Sequence, residues 1–152
     1  MRALFLDFDG VIINRRSFTH FGRSGDHAMA DPSCVAALNR ITDETGASIV
    51  ISSTWRIGRS LANLATILKD WQVAGDVFSM TPNMSTYRGV EISEWLRNAK
   101  KGKIQIDKFL ILDDNPDMHP HMDRLVQTEF NQGLTMKHAI VAIRLFETLT
   151  MV

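Results

Sequence analysis

Residues 3–10 are Ala3-Leu4-Phe5-Leu6-Asp7-Phe8-Asp9-Gly10, a short apolar run that leads into two carboxylates and a glycine. A nearly continuous apolar run of this length is typical of a strand buried on both faces of a sheet. Residues two apart on an extended backbone lie on the same side, so Asp7 and Asp9 form a pair at the end of this strand. Gly10 lets the chain turn away directly after the pair.

Strand-like and helix-like segments alternate along the rest of the chain. Asp31-Pro32 is a helix start and Gly46 a helix stop, which predicts a helix over about 32–44. Later helices are predicted around Leu61–Leu68 and Val90–Ala99, and later strands at Ala47–Ile51, Val77-Phe78, Phe109–Leu112 and Leu125-Val126. A last helix is expected to turn Ile140, Ile143 and Leu145 or Phe146 inward. This alternation predicts an α/β fold with a mostly parallel sheet covered by helices on both faces.

The segment between the first strand and the first long helix is polar and has no clear hydrophobic period. It predicts a long loop over 14–30, and we interpret residues 14–31 as an active-site loop insertion. No repeat or linker divides the chain, so its 152 residues predict one domain spanning 1–152.

Composition excludes several classes of protein. The chain is 45% hydrophobic and 22% charged, as in soluble globular proteins, and no apolar run reaches the roughly 18 residues that span a bilayer. Its 17 basic and 17 acidic residues balance, so any nucleic-acid contact must come from a local cluster of cations. The single cysteine, Cys34, excludes an internal disulfide or a multi-thiolate zinc site and predicts a cytoplasmic location.

Reactive side chains follow three of the predicted strands. They are Asp7 and Asp9 after the first, Ser52-Ser53-Thr54 after the second, and Asp113, Asp114 and Asp117 after the late strand. Ligands of parallel sheets bind beyond the carboxyl ends of the strands, where these residues converge. So many carboxylates would repel one another without a cation, and oxygen ligands favour Mg²⁺.

These residue types fit phosphoryl transfer. Asp7 is expected to attack phosphorus and form an aspartyl-phosphate, while Asp9 protonates the leaving oxygen and later activates water. A serine hydroxyl would donate to a phosphoryl oxygen; we favour Ser53, with Ser52 and Thr54 as alternatives.

At this point the sequence resembles the haloacid dehalogenase (HAD) superfamily of phosphotransferases. Leu6-Asp7-Phe8-Asp9-Gly10-Val11 looks like its first motif, Ile51-Ser52-Ser53 its second, and Ile111-Leu112-Asp113-Asp114 its fourth. Ser-Ser-Thr-Trp-Arg over residues 52–56 and Leu-Asp-Asp-Asn-Pro-Asp over residues 112–117 more narrowly resemble the small HAD domains associated with RNA-repair proteins and phages.

The resemblance implies a Rossmann-like, three-layer α/β/α fold. It also implies a nucleophile at Asp7, an acid/base at Asp9, and Mg²⁺ held by Asp7, the Asp9 carbonyl and Asp114. Asp113 and Asp117 would then be supporting residues. The family's third motif is a Lys or Arg, for which we favour Arg88 over Lys103 and Lys108.

The resemblance also bears on the substrate. Dehalogenases of the superfamily lack the second acid, so Asp9 indicates a phosphatase, and the gap before the first long helix is too short for a separate cap domain. An open site of this kind is suited to large phosphorylated substrates such as nucleic-acid ends or phosphoproteins, with small nucleotides as the alternative. Residues that could bind such a substrate are the cations of the 14–31 segment, Arg15, Arg16 and Arg23, and two residues after the second motif, Trp55 and Arg56.

We therefore predict a Mg²⁺-dependent phosphatase that acts on a phosphomonoester of a nucleotide or a nucleic-acid end. A phosphatase specialised for polynucleotide ends is the nearest alternative. A phosphoacceptor signalling domain is a rival from another class, but Asp9 argues against it because such a domain must keep its phosphoryl group. A catalytically silent, partner-binding domain would require damaged motifs, and no obligate protein partner is evident in the sequence.

Overall fold

The computed structural model describes residues 1–24 and 27–152. In chain order its strands and helices are β1 (Arg2–Leu6), α1 (Arg15–Thr19), β2 (Arg23–Ser24), β3 (His27–Ala28), α2 (Pro32–Thr45), β4 (Ser48–Ile51), α3 (Leu61–Asp70), β5 (Val77–Met80), α4 (Arg88–Lys101), β6 (Lys108–Asp113), β7 (Leu125–Gln127) and α5 (Met136–Thr148). Five of the strands form one parallel sheet in the order β5-β4-β1-β6-β7.

Strand β1 lies at the centre of this sheet, between β4 and β6. Side chains at alternating positions along β1 pack into two separate cores, as expected for a strand with no face exposed to solvent. Leu4 and Leu6 pack in the core that holds the buried faces of α2, α3 and α5. Ala3 and Phe5 pack in the core under α4, where the Phe5 ring meets Trp95 edge-to-face at 5.3 Å. The predicted α/β fold with helices on both faces of a parallel sheet is confirmed.

The first long helix begins and ends where the sequence predicts. The Asp31 side chain accepts a hydrogen bond from the backbone N–H of Ser33, and Pro32 occupies the first helical position. Gly46 ends the helix in the left-handed conformation, at φ 68°.

The segment 14–30 is more ordered than the loop that the sequence predicts. It contains helix α1 and the antiparallel pair β2–β3. Asn14 and Ser17 form a reciprocal capping box at the start of α1, and a helix of five residues is too short for a hydrophobic period to reveal. The Asn14 amide also donates to Asp31 Oδ2 at 2.8 Å and to the Gln132 carbonyl at 2.9 Å, which ties the insertion to the body of the protein.

The buried face of the last helix differs from the prediction. Ala139, Ala142 and Phe146 are buried, whereas Ile140 is 38% exposed. Phe146 is buried as expected and Ile143 is half-buried, while the small alanines let α5 lie close to its neighbours and leave Ile140 at the edge. The predicted orientation is therefore confirmed for Phe146 and wrong for Ile140.

The part of the chain that the structure describes contains no cap domain over the carboxyl end of the sheet. None of its helices is long and apolar enough to cross a bilayer.

Candidate active site

The first motif forms a tight turn at the carboxyl end of β1. Phe8 accepts backbone hydrogen bonds from Val11, Ile12 and Ile13, which folds the chain back directly after the two carboxylates. Gly10 has φ +85°, and a Cβ there would overlap the Asp114 carboxylate. Glycine is therefore required at this position for two reasons, the left-handed backbone conformation and the close approach of the Asp114 side chain.

Three carboxylates meet at this turn. Asp7, Asp113 and Asp114 each offer an oxygen, and these oxygens lie within 4.8 Å of one another. Asp7 and Asp113 are buried, at 2% and 0% exposure, while Asp114 is half-buried. Parallel pairing of β1 with β6 brings these strand ends together, as the sequence predicts.

Arg88 is the cation of this site. Its Nη1 atom lies 2.9 Å from Asp7 Oδ1 and 2.9 Å from Asp113 Oδ2, and it donates to the Ser52 carbonyl at 2.9 Å. Lys108, by contrast, donates to the Phe146 carbonyl at the C-terminal end of α5. Lys103 is exposed in the turn after α4, which leads to the amino end of β6. Of the three candidate cations, only Arg88 lies at the carboxylates.

Asp117 holds the helix that carries Arg88. Its Oδ2 accepts from the Arg88 backbone N–H at 3.3 Å, and its carbonyl accepts from the Gly89 N–H at 3.1 Å. A Cβ on Gly89 would overlap the His119 carbonyl, so glycine allows the helix start to pack directly on this loop. Asp117 therefore contacts the backbone of the helix start that carries Arg88, and its supporting role stays a prediction.

The second motif presents its hydroxyls differently from our expectation. Ser53 Oγ accepts from the Trp55 backbone N–H at 3.1 Å and caps the short 3₁₀ helix Thr54–Arg56, and Thr54 is exposed. Ser52 Oγ is buried and has no hydrogen-bond partner among the described residues. This unpartnered hydroxyl belongs to the residue whose carbonyl accepts from Arg88. The geometry thus favours Ser52 over the Ser53 that the sequence suggested.

The single positive charge of Arg88 does not neutralise the carboxylates that surround it. Burial, and then the charge of Asp7, raises the pKa of Asp113 to about 8. Burial also raises the pKa of Asp7 despite the opposing effect of Arg88, and it raises the pKa of Asp9. Although burial alone would lower the pKa of Arg88, Asp7 and Asp113 raise it, so Arg88 stays charged. A cluster of this kind is stabilised by an additional cation.

The family model described as the HAD domain in Swiss Army Knife RNA repair proteins matches residues 3–139. The chain belongs to this family. No curated protein matches the sequence closely enough to identify a relative. HAD domains generally use Mg²⁺, and the donor set here fits that ion, since Asp7, Asp113 and Asp114 supply only hard oxygen ligands.

Two residues after the second motif lie in unexpected places in this HAD domain. Trp55 lies beside Asp9, and its indole Nε1 donates to Asp9 Oδ2 at 3.0 Å. Arg56 is 7% exposed and contacts neither the carboxylate cluster nor an open surface. Its guanidinium donates to the Thr81 and Ser53 carbonyls and pairs with buried Glu91 at 2.9 Å. The suggestion that Arg56 binds substrate is therefore wrong, because its donors are already engaged.

The three cations of the 14–31 segment have different surroundings. Arg15 is exposed. Arg16 is also exposed, but its Nη1 atom lies 3.5 Å from Asp31 Oδ2 and its guanidinium lies over the Phe21 ring. The Arg23 side chain lies outside the described part of the HAD domain.

A further residue, Thr128, links the first and fourth motifs and carries no predicted role. Its Oγ1 donates to the Gly10 carbonyl at 2.6 Å, and its backbone N–H donates to the Asp113 carbonyl at 3.0 Å. The sequence offers one indication of such a role, because Thr128 comes just after the last predicted strand and the site residues also follow strands.

Proposed function

We propose that this HAD domain is a Mg²⁺-dependent phosphomonoesterase that works through a covalent phosphoryl group on Asp7. The observation that carries the proposal is the contact of the Asp7 carboxylate with Arg88, beside Asp113 and Asp114. An attacking carboxylate, a fixed cation and a set of metal-binding oxygens are the parts that phosphoryl transfer requires.

The reaction would proceed in two displacements. An Asp7 carboxylate oxygen bonds to phosphorus as the bond from phosphorus to the leaving oxygen breaks, and Asp9 gives that oxygen a proton. A water molecule then loses a proton to Asp9 and attacks phosphorus, which breaks the bond to Asp7 and releases phosphate. Asp9 returns to its protonated form, so the cycle closes.

Other side chains would hold the phosphoryl oxygens. Arg88 uses Nη1 for Asp7, Asp113 and Ser52, and its remaining N–H groups have no partner among the described residues, so they can donate to the phosphoryl group. We infer that the Ser52 hydroxyl is a second donor, because it is buried with no partner among the described residues and the carbonyl of the same residue contacts Arg88. Mg²⁺, held by Asp7, Asp114 and the Asp9 carbonyl with Asp113 in support, would offset the negative charge between nucleophile and phosphate.

The proposed substrate is a phosphomonoester at a nucleotide or a nucleic-acid end, in the cytoplasm. The family description, which names RNA repair proteins, supports this choice, as does a sheet edge without a cap domain in the described residues. A phosphatase specialised for polynucleotide ends is a narrower version of the same proposal, and exposed Arg15 favours it. The experiment is a phosphate-release assay, with Mg²⁺ or EDTA, on mononucleotides, sugar phosphates, phosphopeptides and oligonucleotides phosphorylated at the 3′ or 5′ end.

We expect a phosphorylated oligonucleotide to be a better substrate than the corresponding mononucleotide. At low salt its kcat/KM should be higher by about tenfold, and the advantage should shrink as salt rises, because cations that contact phosphates release counterions. Replacing Arg15, Arg16 and Arg23 with Gln should remove the advantage mainly through KM. Each lost contact should flatten the logarithmic salt slope by about 0.7 on a single strand.

The matched control for this variant replaces three helix cations, Arg40, Arg97 and Arg144, with Gln. These residues are exposed, and they lie away from the helix starts that surround the carboxyl edge of the sheet. If the two triple variants lose the oligonucleotide advantage equally, or if mononucleotides are the better substrates at low salt, the 14–31 segment does not bind the strand.

We expect Mg²⁺ to raise the melting temperature and Asp114→Ala to abolish that gain. An ion that binds only the folded protein stabilises it by about 2.7 kcal/mol at a hundredfold excess over its Kd. For a domain of this size that corresponds to roughly 5–10 °C. Asp43→Ala removes an exposed carboxylate of α2 and should leave the gain intact.

The stabilisation should be larger at pH 8 than at pH 6. The pKa of Asp113 is about 8, so at pH 6 the metal competes with a proton in this cluster. Without Mg²⁺ the folded state binds more protons than the unfolded one, and stability therefore falls as the pH rises toward 8. A melting temperature that is the same in EDTA and in excess Mg²⁺ at both pH values would exclude the metal site.

A further inference from the structure

Asp9 is held by an indole. Trp55 Nε1 donates to Asp9 Oδ2 at 3.0 Å, and both side chains are half-buried. Within the described residues this is the only side-chain hydrogen bond that the Asp9 carboxyl makes. An acid that protonates a leaving oxygen must be oriented, and among the described residues no other side chain donates a hydrogen bond to the Asp9 carboxyl.

The indole is in turn fixed by its neighbours. Its ring centroid lies 5.4 Å from those of Phe8 and Trp71 and 5.7 Å from that of His27. The Arg59 guanidinium lies over the Trp55 ring at 5.1 Å and donates to the Trp55 carbonyl at 3.2 Å. Trp55 is therefore held by contacts within the protein itself, as an orienting group must be.

The chemistry of indole determines what this contact can do. An indole N–H is a donor only, so Asp9 Oδ2 must accept from it in either protonation state of the carboxyl. The proton of the neutral acid then resides on Oδ1. We propose that Trp55 is a positioning residue that holds Asp9 so that Oδ1 exchanges protons with the leaving oxygen and with water. The inference rests on the phosphatase activity proposed above.

In this arrangement the same atom serves both displacements. As the phosphorus–oxygen bond of the substrate breaks, Oδ1–H gives its proton to the leaving oxygen, which departs as an alcohol. In the second displacement Oδ1 takes a proton from the attacking water while the bond from phosphorus to Asp7 breaks. Oδ2 keeps its hydrogen bond to Trp55 throughout.

The test compares Trp55→Phe with Trp71→Phe. Trp71 belongs to the same aromatic cluster and is 5% exposed, but its indole N–H has no partner in the described part of the chain. Both variants remove an indole N–H from one cluster and leave an aromatic ring. Only Trp55→Phe removes the hydrogen bond to Asp9.

Two substrates separate proton donation from general damage. An alkyl phosphate needs a proton on its leaving oxygen, whereas 4-nitrophenyl phosphate releases a stable anion and needs none. For Trp55→Phe we expect kcat/KM to fall by about 10- to 100-fold on the alkyl phosphate, the size typical of a lost orienting contact, and by less than about threefold on the nitrophenyl ester. Trp71→Phe should stay within about twofold of the parent on both substrates.

Equal losses on both substrates, or equal losses in both variants, would overturn the proposal. Failure of the phosphatase function itself has a different signature, in which the parent protein releases no phosphate or Asp9→Asn turns over normally. If Trp55→Phe does not fold, the indole N–H resonances still decide whether the contact exists. Asp9→Ala should shift the Trp55 resonance and leave those of Trp71 and Trp95 in place, and an unchanged Trp55 resonance would refute the contact.

Discussion

Asp7→Asn should abolish phosphate release on every substrate that the parent protein hydrolyses. The amide cannot form the aspartyl-phosphate, and removal of a covalent nucleophile costs on the order of 10⁴-fold or more in kcat. The fold should be retained, because an amide oxygen can still accept from the Phe8 N–H and from Arg88, which lie at 2.9 Å from Asp7 Oδ1. Burial raises the pKa of Asp7, so the protein loses no stability when this carboxyl becomes a neutral amide. In EDTA the Asp7→Asn variant should therefore have a melting temperature equal to that of the parent protein or higher.

The matched control for this variant is Asp107→Asn. Asp107 also loses an ion pair on substitution, the one with the N-terminal amine at 2.8 Å, but it precedes the amino end of β6, at the opposite edge of the sheet. Its turnover should equal that of the parent. Phosphate release by purified Asp7→Asn at a rate near that of Asp107→Asn would rule out a covalent role for Asp7.

Asp9→Asn should stop turnover at the second displacement. Its amide oxygen can still accept from Trp55, so the side chain stays in place, but an amide neither donates a carboxyl proton nor accepts one from water. We expect kcat to fall by about 10²- to 10⁴-fold, the usual contribution of general acid–base catalysis. With 4-nitrophenyl phosphate, whose leaving group needs no proton, stopped-flow absorbance should record a burst of one nitrophenolate per active site, followed by slow turnover. A linear time course at the parental rate would remove Asp9 from the mechanism.

The parts of the site that depend on strand ends could be predicted from the sequence. Buried apolar runs before Asp7 and before Asp113 indicate strands of one parallel sheet, and the carboxyl ends of such strands meet at one edge. The structure accordingly brings Asp7, Asp113 and Asp114 together. Arg88 was favoured as the third-motif cation that the resemblance implies, and the helix that carries it does begin beside the carboxylates.

Contacts between residues far apart in the chain could not be predicted in the same way. Arg56 looks like a substrate ligand in the sequence because its partner, Glu91, lies on a helix whose packing no local pattern reveals. The hydrogen bond from Trp55 to Asp9 likewise depends on how the turn after β4 folds against the turn after β1.

The sequence could not decide whether the Ser52 or the Ser53 hydroxyl donates to the phosphoryl oxygen, because the two residues differ by a single position. Ser52 and Ser53 are neighbours with the same side chain, and only the start of the 3₁₀ helix decides which of them is used as its cap. The short helix α1 escaped prediction because its stability comes from the Asn14 and Ser17 cap rather than from an amphipathic pattern.

A covalent phosphoryl group on Asp7 is the claim that most directly separates this mechanism from direct attack by water. Asp9→Asn is mixed with Mg²⁺ and 4-nitrophenyl phosphate, whose leaving group needs no proton from Asp9, then quenched in acid and analysed by intact mass and peptide mapping. The proposed mechanism predicts that one phosphoryl group is added per protein, that it maps to Asp7, and that it is absent from the Asp7→Asn/Asp9→Asn double variant. Phosphate release from a protein that stays unmodified at every time point, or a phosphoryl group on another residue, would contradict it.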